Sequence, residues 1–167
     1  MPSRLCTGVV DDAQVEDASE NVERVYRTEA LKMWRALVGY AGDRQVADDA
    51  VAEAFARALR DHASIDDVRT WTWRVAFRLA AAEMKRRERP DATDVSLSIE
   101  TSSDAADLVA ALRQLPERQR MAVVLHDYAD RPTAEVATTL GCSTATVHVH
   151  LSRGRKRLRA LLEISHA

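Results

Sequence analysis

The stretch from Thr133 to Leu162 combines basic and polar side chains in a pattern suited to binding nucleic acid. Its basic side chains cluster near the end: Arg153, Arg155, Lys156, Arg157 and Arg159. Guanidinium and ammonium groups at this density attract phosphate, and each phosphate contact steepens the fall of affinity with salt by roughly 0.9 in the log-log slope. Polar side chains able to reach base edges or nearby backbone precede them: Thr144, Thr146, His148 and His150.

The apolar residues of the same stretch have helix-turn-helix spacing. Those expected to face inward are Val136, Ala137 and Leu140, followed by Val147 from the next helix. Gly141 supplies a turn where a side chain would clash, and Ser143 can cap the second helix. In such a pair the second helix lies in the major groove, so its first turns meet bases and flanking cations meet phosphate. A plain helical hairpin is the alternative that shares this spacing.

A second region, between Asp66 and Pro90, interleaves aromatic rings with arginine. One apolar stripe suffices for packing and comprises Val68, Trp71, Val75, Leu79 and Ala82. A second stripe, Trp73, Phe77 and Met84, lies beside the basic residues Arg74, Arg78, Lys85, Arg86 and Arg87. Rings stack on unpaired bases while guanidinium groups hold phosphate, so this pattern favours single-stranded nucleic acid. The alternative is that the tryptophans belong to the core.

The histidines and cysteines do not suggest catalysis or metal binding. His148 and His150 are two apart on a predicted helix and point to different faces, and no other spacing suits a ligand set. Cys6 and Cys142 do not form a disulfide framework, which favours a reducing cytoplasm. No apolar run approaches a membrane span. We therefore expect a cytoplasmic protein without enzymatic activity, cofactor, metal or membrane association.

Charge alternates along the chain although the formal net charge is only -2. Residues 24–89 carry 14 Lys and Arg against 10 Asp and Glu, and residues 112–167 carry 9 against 5. Residues 1–23 hold six acids and one base, and residues 90–111 hold five acids and no base. Two basic modules joined by an acidic connector are typical of a nucleic-acid-binding protein.

The elements that would position these residues are all helical. Abundant Ala, Leu, Arg and Glu with only five glycines favour helix over strand. The periodicity predicts helices over 21–41, from an Asp43 cap, from Asp66 or Asp67, over about 104–115 and from Pro116, before the helix-turn-helix. The predicted organisation is a disordered acidic leader (1–20), a helical domain (21–89), an acidic linker (90–107) and a helix-turn-helix domain (108–167).

The order of motifs resembles a bacterial RNA polymerase sigma factor of the sigma-70 family, extracytoplasmic-function (ECF) type. ADDAVAEAF at 47–55 looks like the family's AEDLVQETF, and WTWRVAFRLAAAEMKRR at 71–87 looks like its WLYRIARNLAIDHLRRR. LPERQRMAVVLHDY at 115–128 is similar to LPERQREVLLLRY. Three matches in the right order, followed by a helix-turn-helix, are more specific than any one of them.

The resemblance implies core RNA polymerase and promoter DNA as partners, with an anti-sigma factor as a further candidate. It assigns polymerase binding to Asp48, Asp49, Glu53 and Arg57. It assigns opening of the minus-ten DNA to Trp71, Trp73, Arg74, Phe77, Arg78, Lys85 and Arg86. It assigns the minus-thirty-five element to Thr144, Thr146, His148, His150, Arg153, Arg155, Lys156 and Arg157.

Several positions depart from the family pattern and leave other functions open. Arg78 stands where the family often has Asn, Ala82 where it often has Asp, and His148 and His150 where Lys and Arg are usual. A sigma-like protein that titrates an anti-sigma factor is one alternative. A stand-alone helix-turn-helix repressor, with the first module as an oligomerisation domain, is another.

Overall fold

The computed structural model describes residues 12–88 and 103–165, so the predictions for residues 1–11 and for most of the linker lie outside the described residues. The α-helices are α1 (Asp12–Ala41), α2 (Arg44–Asp61), α3 (Val68–Arg87), α4 (Ser103–Arg113), α5 (Glu117–Val123), α6 (Thr133–Leu140) and α7 (Thr144–Ser165). A 3₁₀ turn, His62–Ser64, follows α2, and a π-helical turn, Val124–Tyr128, continues α5. The all-α prediction is confirmed for the described residues.

Helices α1, α2 and α3 form the N-terminal half of the fold. Their contact surface is built from fully buried large side chains on α1 and α3 and from alanines on α2, which let the helix backbones approach closely. Asp43 and Asp67 cap α2 and α3, accepting hydrogen bonds from the backbone N–H of Val46 and of Thr70, both at 3.1 Å. Both caps agree with the prediction from sequence.

Helices α4 to α7, with the π-helical turn, form the C-terminal half. Helix α5 packs across α7, and Gly154 lies at their contact. A Cβ atom built on Gly154 would lie 2.9 Å from Val123 Cγ2 and 3.3 Å from the carbonyl oxygen of Gln119. Glycine at this position therefore sets the distance between α5 and the helix predicted to bind DNA.

The two halves pack against each other over a continuous buried core. Helix α3 lies against α6, and α1 lies against both α4 and the π-helical turn. The sequence predicted two separate modules on a linker, and it contains no pattern that predicted this contact. The division into domains at residues 89 and 108 remains a prediction.

The predicted start of the first helix differs from the structure. Helix α1 begins at Asp12, nine residues before the predicted start, so residues 12–20 are helical where a disordered leader was expected. The polar run from Ala13 to Glu20 lacks a clean apolar stripe, which concealed its continuity with the helix that follows. Tyr128 lies at the end of the π-helical turn and is 51% exposed.

Candidate nucleic-acid interface

The helix-turn-helix is formed by α6, a three-residue turn and α7. Gly141 ends α6 in the left-handed region at φ 63°, a conformation that a side chain disfavours. Ser143 Oγ accepts a hydrogen bond of 3.1 Å from the backbone N–H of Thr146 and so caps α7. Val136 and Val147 are fully buried between the two helices. The predicted turn, cap and packing residues are therefore confirmed. Gly141 is favoured by its positive φ and not by a clash, because nothing lies within 4 Å of a Cβ atom built there.

Helix α7 is anchored by one face and exposed along its two edges. Val147, Leu151 and Gly154 are buried. One edge comprises Thr146, His150, Arg153 and Arg157, which recur at steps of four, three and four residues. The other edge holds Thr144, His148 and Arg155, with Lys156 beside it. The structure thus divides the predicted minus-thirty-five residues between two edges of the helix.

The two edges differ in how far their cations are already paired. Arg155 donates from Nε to Asp127 Oδ2 at 2.8 Å, and Asp127 also lies 2.8 Å from His126 Nδ1. The hydrogen bond from Arg155 holds the pKa of Asp127 below its usual range. On the opposite edge, Arg153 and Arg157 are exposed, and no ion pair links either to another described residue. Lys156 and Arg159, which lie beside Arg155, are also exposed and form no ion pair with another described residue, so the edges differ in the pairing of Arg155 alone.

His150 lies on the same edge as Arg153 and Arg157. Burial lowers the pKa of its imidazole, and the nearby guanidinium groups of Arg118 and Arg153 lower it further. The neutral form is therefore favoured at neutral pH, and it can donate or accept a hydrogen bond. Arg118, which the sequence reasoning missed, donates to the carbonyl oxygen of Leu140 at 3.3 Å. Arg118 belongs to the LPERQR segment that the sequence analysis noted. Its position beside α7, however, depends on how the helices pack, which the segment itself does not indicate.

Two of the predicted strand-opening residues are core residues, which corrects the prediction. Trp73 is 2% exposed and Phe77 is fully buried, with their ring centroids 6.1 Å apart and nearly parallel. Phe77 also packs on Tyr40, at 5.4 Å between centroids, and Trp73 Nε1 donates to Glu29 Oε2 at 2.8 Å. The alanines at 76 and 80 extend this stripe at helical spacing, and they were the signal that the sequence reasoning overlooked.

The other stripe of α3, which the sequence assigned to packing, is partly accessible. Trp71, Val75 and Leu79 are half-buried, and Ala82 is exposed. Arg74 is half-buried and Lys85 is exposed. Trp71 is thus the one ring of the predicted set, within the described residues, with surface available to a base.

The remaining cations of α3 have protein partners. Arg78 donates to the carbonyl oxygen of Thr138 on α6 at 3.2 Å. Arg86 forms a two-point pair with Glu83, at 2.8 and 2.6 Å, and Arg87 joins Glu83 to Asp43. These hydrogen bonds, with that of Arg86 the strongest, lower the pKa of Glu83 to about 2. The basic end of α3 is therefore partly neutralised.

The predicted polymerase-binding residues share the outer face of α2. Asp48 and Asp49 are exposed, and they accept hydrogen bonds from Trp34 Nε1 at 2.6 Å and from Gln45 Nε2 at 2.8 Å. Glu53 and Arg57 form an ion pair at 2.6 Å, and that hydrogen bond lowers the pKa of Glu53. The structure brings the four together as a mixed-charge surface on a rigid helix.

An apolar groove of about 1040 Å³ runs along the seam between the halves. Helices α1, α4 and α7 form its walls, with Val38, Leu108, Leu112, Leu158 and Leu162 among the apolar lining residues. Arg35 and Arg159 also line it, together with the Arg155–Asp127 pair described above. The groove was not predicted, because it exists only where the two halves meet.

Neither a metal centre nor a membrane span is found in the described part of the chain. No group of three or more His, Cys, Asp or Glu side chains within residues 12–88 and 103–165 could hold a metal ion. None of the helices there combines the length and apolar character that crossing a bilayer requires.

The fold and the interface together define an all-helical protein with a C-terminal helix-turn-helix. Residues 105–158 match the family "Sigma-70, region 4". The chain is 34% identical over 155 residues to "Probable ECF RNA polymerase sigma factor SigI" of Mycobacterium tuberculosis, covering 75% of this chain and 52% of that protein. It is 35% identical over 152 residues to the sigma factor SigJ of the same organism, covering 79% and 49%. The chain thus spans about half the length of these relatives.

Solved structures share the fold across most of the chain. The sigma factor RpoE, in complex with the anti-sigma factor NepR from Bartonella quintana, superposes with a TM-score of 0.76 at 20% identity, over 87% of this chain and 98% of that one. CnrH, in complex with the cytosolic domain of CnrY, gives 0.72 at 20% identity, over 90% and 95%. Residues 105–158 thus form a sigma-70 region 4 domain, and the chain as a whole is similar to RNA polymerase sigma factors of the ECF type.

Proposed function

We propose that this protein directs core RNA polymerase to promoters, reading the minus-thirty-five element with α7 and assisting minus-ten strand opening with α3. The observation that carries the proposal is the capped helix-turn-helix within the segment that matches sigma region 4. The protein acts by noncovalent binding and catalyses no reaction of its own. It works in the cytoplasm, where polymerase and promoters are found.

The exposed edge of α7 supports duplex recognition. Thr146 lies in the first turn of α7, where a recognition helix meets base edges, and Arg153 and Arg157 lie further along, where phosphates flank the groove. His150 stands between them and can donate or accept a hydrogen bond in its neutral form. Affinity on this edge then comes from the arginines and specificity from the threonine and histidine.

The accessible face of α3 supports a narrower role in strand opening than the sequence predicted. Trp71 offers a partly exposed ring, and Arg74 and Lys85 offer cations on the same helix. A ring that stacks on an unpaired base stabilises the open form, because the base loses its stacking partner when the duplex separates. Trp73 and Phe77 support this surface from beneath.

The outer face of α2 supports polymerase docking through Asp48, Asp49, Glu53 and Arg57. An anti-sigma factor is a further proposed partner, since both structural relatives were solved with partners, one of which is named an anti-sigma factor. The apolar groove along α1, α4 and α7 is large enough for apolar side chains of such a partner.

Run-off transcription with core polymerase tests the proposal. The candidate promoters are first identified by immunoprecipitation of the polymerase-bound chain. On these templates, core polymerase with the full chain should produce promoter-dependent transcripts. A variant with Thr146→Ala and Arg153→Ala should lose these transcripts but still bind core polymerase. Asp48→Lys with Asp49→Lys should weaken core binding but leave duplex affinity intact.

The alternatives predict different outcomes. A protein that titrates an anti-sigma factor would yield no transcript from any promoter occupied in the chromosome while binding the anti-sigma factor tightly. A stand-alone repressor would bind its site with high affinity in the absence of polymerase. Either pattern would overturn the proposal.

A further inference from the structure

Helix α7 presents a third exposed stripe between the two edges described above. Two residues along an α-helix correspond to a rotation of about 200°, so Val149 lies on the side opposite the buried Val147 and Leu151. The residues of this outer stripe recur at steps of four, three and four and are all exposed: Ala145, Val149, Ser152 and Lys156. The first three of them were not among the residues predicted from sequence to bind DNA.

Val149 is the large apolar side chain of the outer stripe. It is 46% exposed and does not belong to the hydrophobic core of the described residues. Single exposed apolar residues are common on protein surfaces and by themselves indicate nothing. Val149, however, lies in the second turn of the second helix of a helix-turn-helix, where base edges are met. Its position, rather than its exposure, points to a function.

Cations flank the outer stripe on both sides. Arg153 and Arg157 lie along one edge of α7, and Arg159 lies along the other, beside the paired Arg155. A helix about 10–12 Å in diameter fits a major groove about 12 Å wide, so its edges meet the two phosphate strands and its outer stripe meets the base edges. Duplex DNA is therefore the partner whose shape and charge fit this face.

The first turns of α7 lack the side chains that usually read bases through paired hydrogen bonds. Residues 144–152 include no Arg, Lys, Asn or Gln, and the first guanidinium group of the helix is that of Arg153. Those side chains select guanine or adenine when they lie at the groove floor. An apolar side chain in the same place has a different partner, the C5-methyl group of thymine.

We propose that Val149 is a specificity-determining residue that selects a thymine in the minus-thirty-five element through contact with its C5-methyl group. The contact removes apolar surface of both groups from water, so a base without the methyl group binds less well. Ala145, one turn earlier, carries no long side chain that would hold the helix away from the groove floor. The assignment to the minus-thirty-five element rests on the proposed function, whereas the preference for thymine can be measured independently of transcription.

Replacement of single thymines by deoxyuridine tests the contact, because deoxyuridine lacks the methyl group and keeps every hydrogen-bonding group. Duplexes bound by the full chain, alone or in complex with core polymerase, are first selected from a random pool. Each thymine of a selected duplex is then replaced in turn, and binding is measured by fluorescence anisotropy. For the parent chain we expect one position at which affinity falls about fourfold, the effect of one buried methyl-sized group.

Val149→Ala should abolish this loss at the sensitive position, since the alanine side chain is too short to reach the thymine methyl group. Ile164→Ala is the matched control, because it removes a β-branched side chain that is 75% exposed on the same helix, about four turns further on. It should keep the loss seen with the parent chain. Both variants should keep the parent's helix content by circular dichroism, since neither side chain belongs to the core.

Cytosine methylation provides the converse test. When the sensitive T·A pair is replaced by C·G, 5-methylcytosine restores a methyl group at the same place in the major groove. The parent chain should bind the methylated duplex more tightly than the unmethylated one, and Val149→Ala should bind the two equally.

The inference and the proposed function fail in different ways. If no thymine methyl group affects binding by the parent chain, or if Val149→Ala keeps the same loss, the thymine contact is overturned while promoter-dependent transcripts would still support the proposed function. If the methyl effect is present but core polymerase with the full chain yields no such transcript, the proposed function is removed and the contact stands. Failure of the chain to bind any duplex, alone or with polymerase, would overturn both.

Discussion

Helices α3 and α7 both contain several arginines, but they differ in how many of these side chains are bound to protein groups. On α7 the packing face is narrow and consists of Val147, Leu151 and Gly154, so the cations of one edge project into solvent without protein partners. On α3 the packing face includes Trp73 and Phe77. Three of its arginines, Arg78, Arg86 and Arg87, are bound to the backbone of α6, to Glu83 or to Asp43, whereas Arg74 and Lys85 form no ion pair with another described residue. A charged helix binds nucleic acid only where its charge is left uncompensated.

The largest expected effect is the loss of stability when a core ring of α3 is removed. Phe77→Ala removes a fully buried ring that packs on Tyr40 and Trp73, and we expect a loss of about 3–5 kcal/mol in the free energy of unfolding. Urea denaturation followed by circular dichroism measures it. A loss below about 1 kcal/mol would place the ring at a functional surface rather than in the core.

Trp71, on the same helix, should contribute to strand opening rather than to the stability of the core. Trp71→Ala should weaken minus-ten opening by about 1–3 kcal/mol, the range measured for base stacking on aromatic side chains. Permanganate reactivity of the unpaired thymines in the polymerase complex measures it. Val75→Ala, another half-buried position on α3, serves as the control and should leave opening unchanged. Equal loss in the two variants would indicate a packing effect rather than stacking.

The pH dependence of duplex binding tests whether the edge of α7 that carries His150 contacts DNA. The pKa of His150 lies below its ordinary value, so the free protein leaves it neutral, and a nearby phosphate favours its protonated form. Duplex binding should therefore take up a proton, and affinity should rise as pH falls below about 6.5. Fluorescence anisotropy across this range measures it. His150→Gln should flatten the profile, whereas His126→Gln should not.

The same shift has the opposite sign for folding. The unfolded chain binds a proton at His150 at a higher pH than the folded chain does, because the folded pKa is depressed. Stability should therefore fall as pH drops through the ordinary histidine pKa. The effect is the smallest of those proposed, since His150 is only partly buried. Comparing urea midpoints of the parent and of His150→Gln at pH 7 and at pH 5.5 measures it.

The helix-turn-helix could be predicted from sequence because its determinants are local. Gly141 ends a helix, Ser143 caps the next, and Val147 lies one turn further, so turn, cap and packing residue all fall within seven positions. The caps Asp43 and Asp67 were predictable for the same reason. Local chemistry of this kind does not depend on how the halves pack.

The role of α3 and the seam could not be predicted in this way. Helix α3 is apolar around most of its circumference, so periodicity alone could not decide which stripe lies inward. Trp73 and Phe77 were therefore assigned to the nucleic-acid-binding stripe although they belong to the core. The pairing of Arg131 with Trp73 joins residues 58 positions apart in sequence. Its recognition requires the packing of α6 on α3, which no local pattern encodes.

The salt dependence of duplex binding tests the central claim most directly. The claim is that the Arg153 and Arg157 edge of α7 supplies the charge that holds promoter DNA. For the variant Arg153→Ala with Arg157→Ala, the log-log salt slope should become shallower by roughly 1.8, two phosphate contacts at about 0.9 each. The matched variant Arg155→Ala, whose arginine is already paired with Asp127, should keep a slope close to that of the parent chain. An unchanged slope in the double variant would contradict the account.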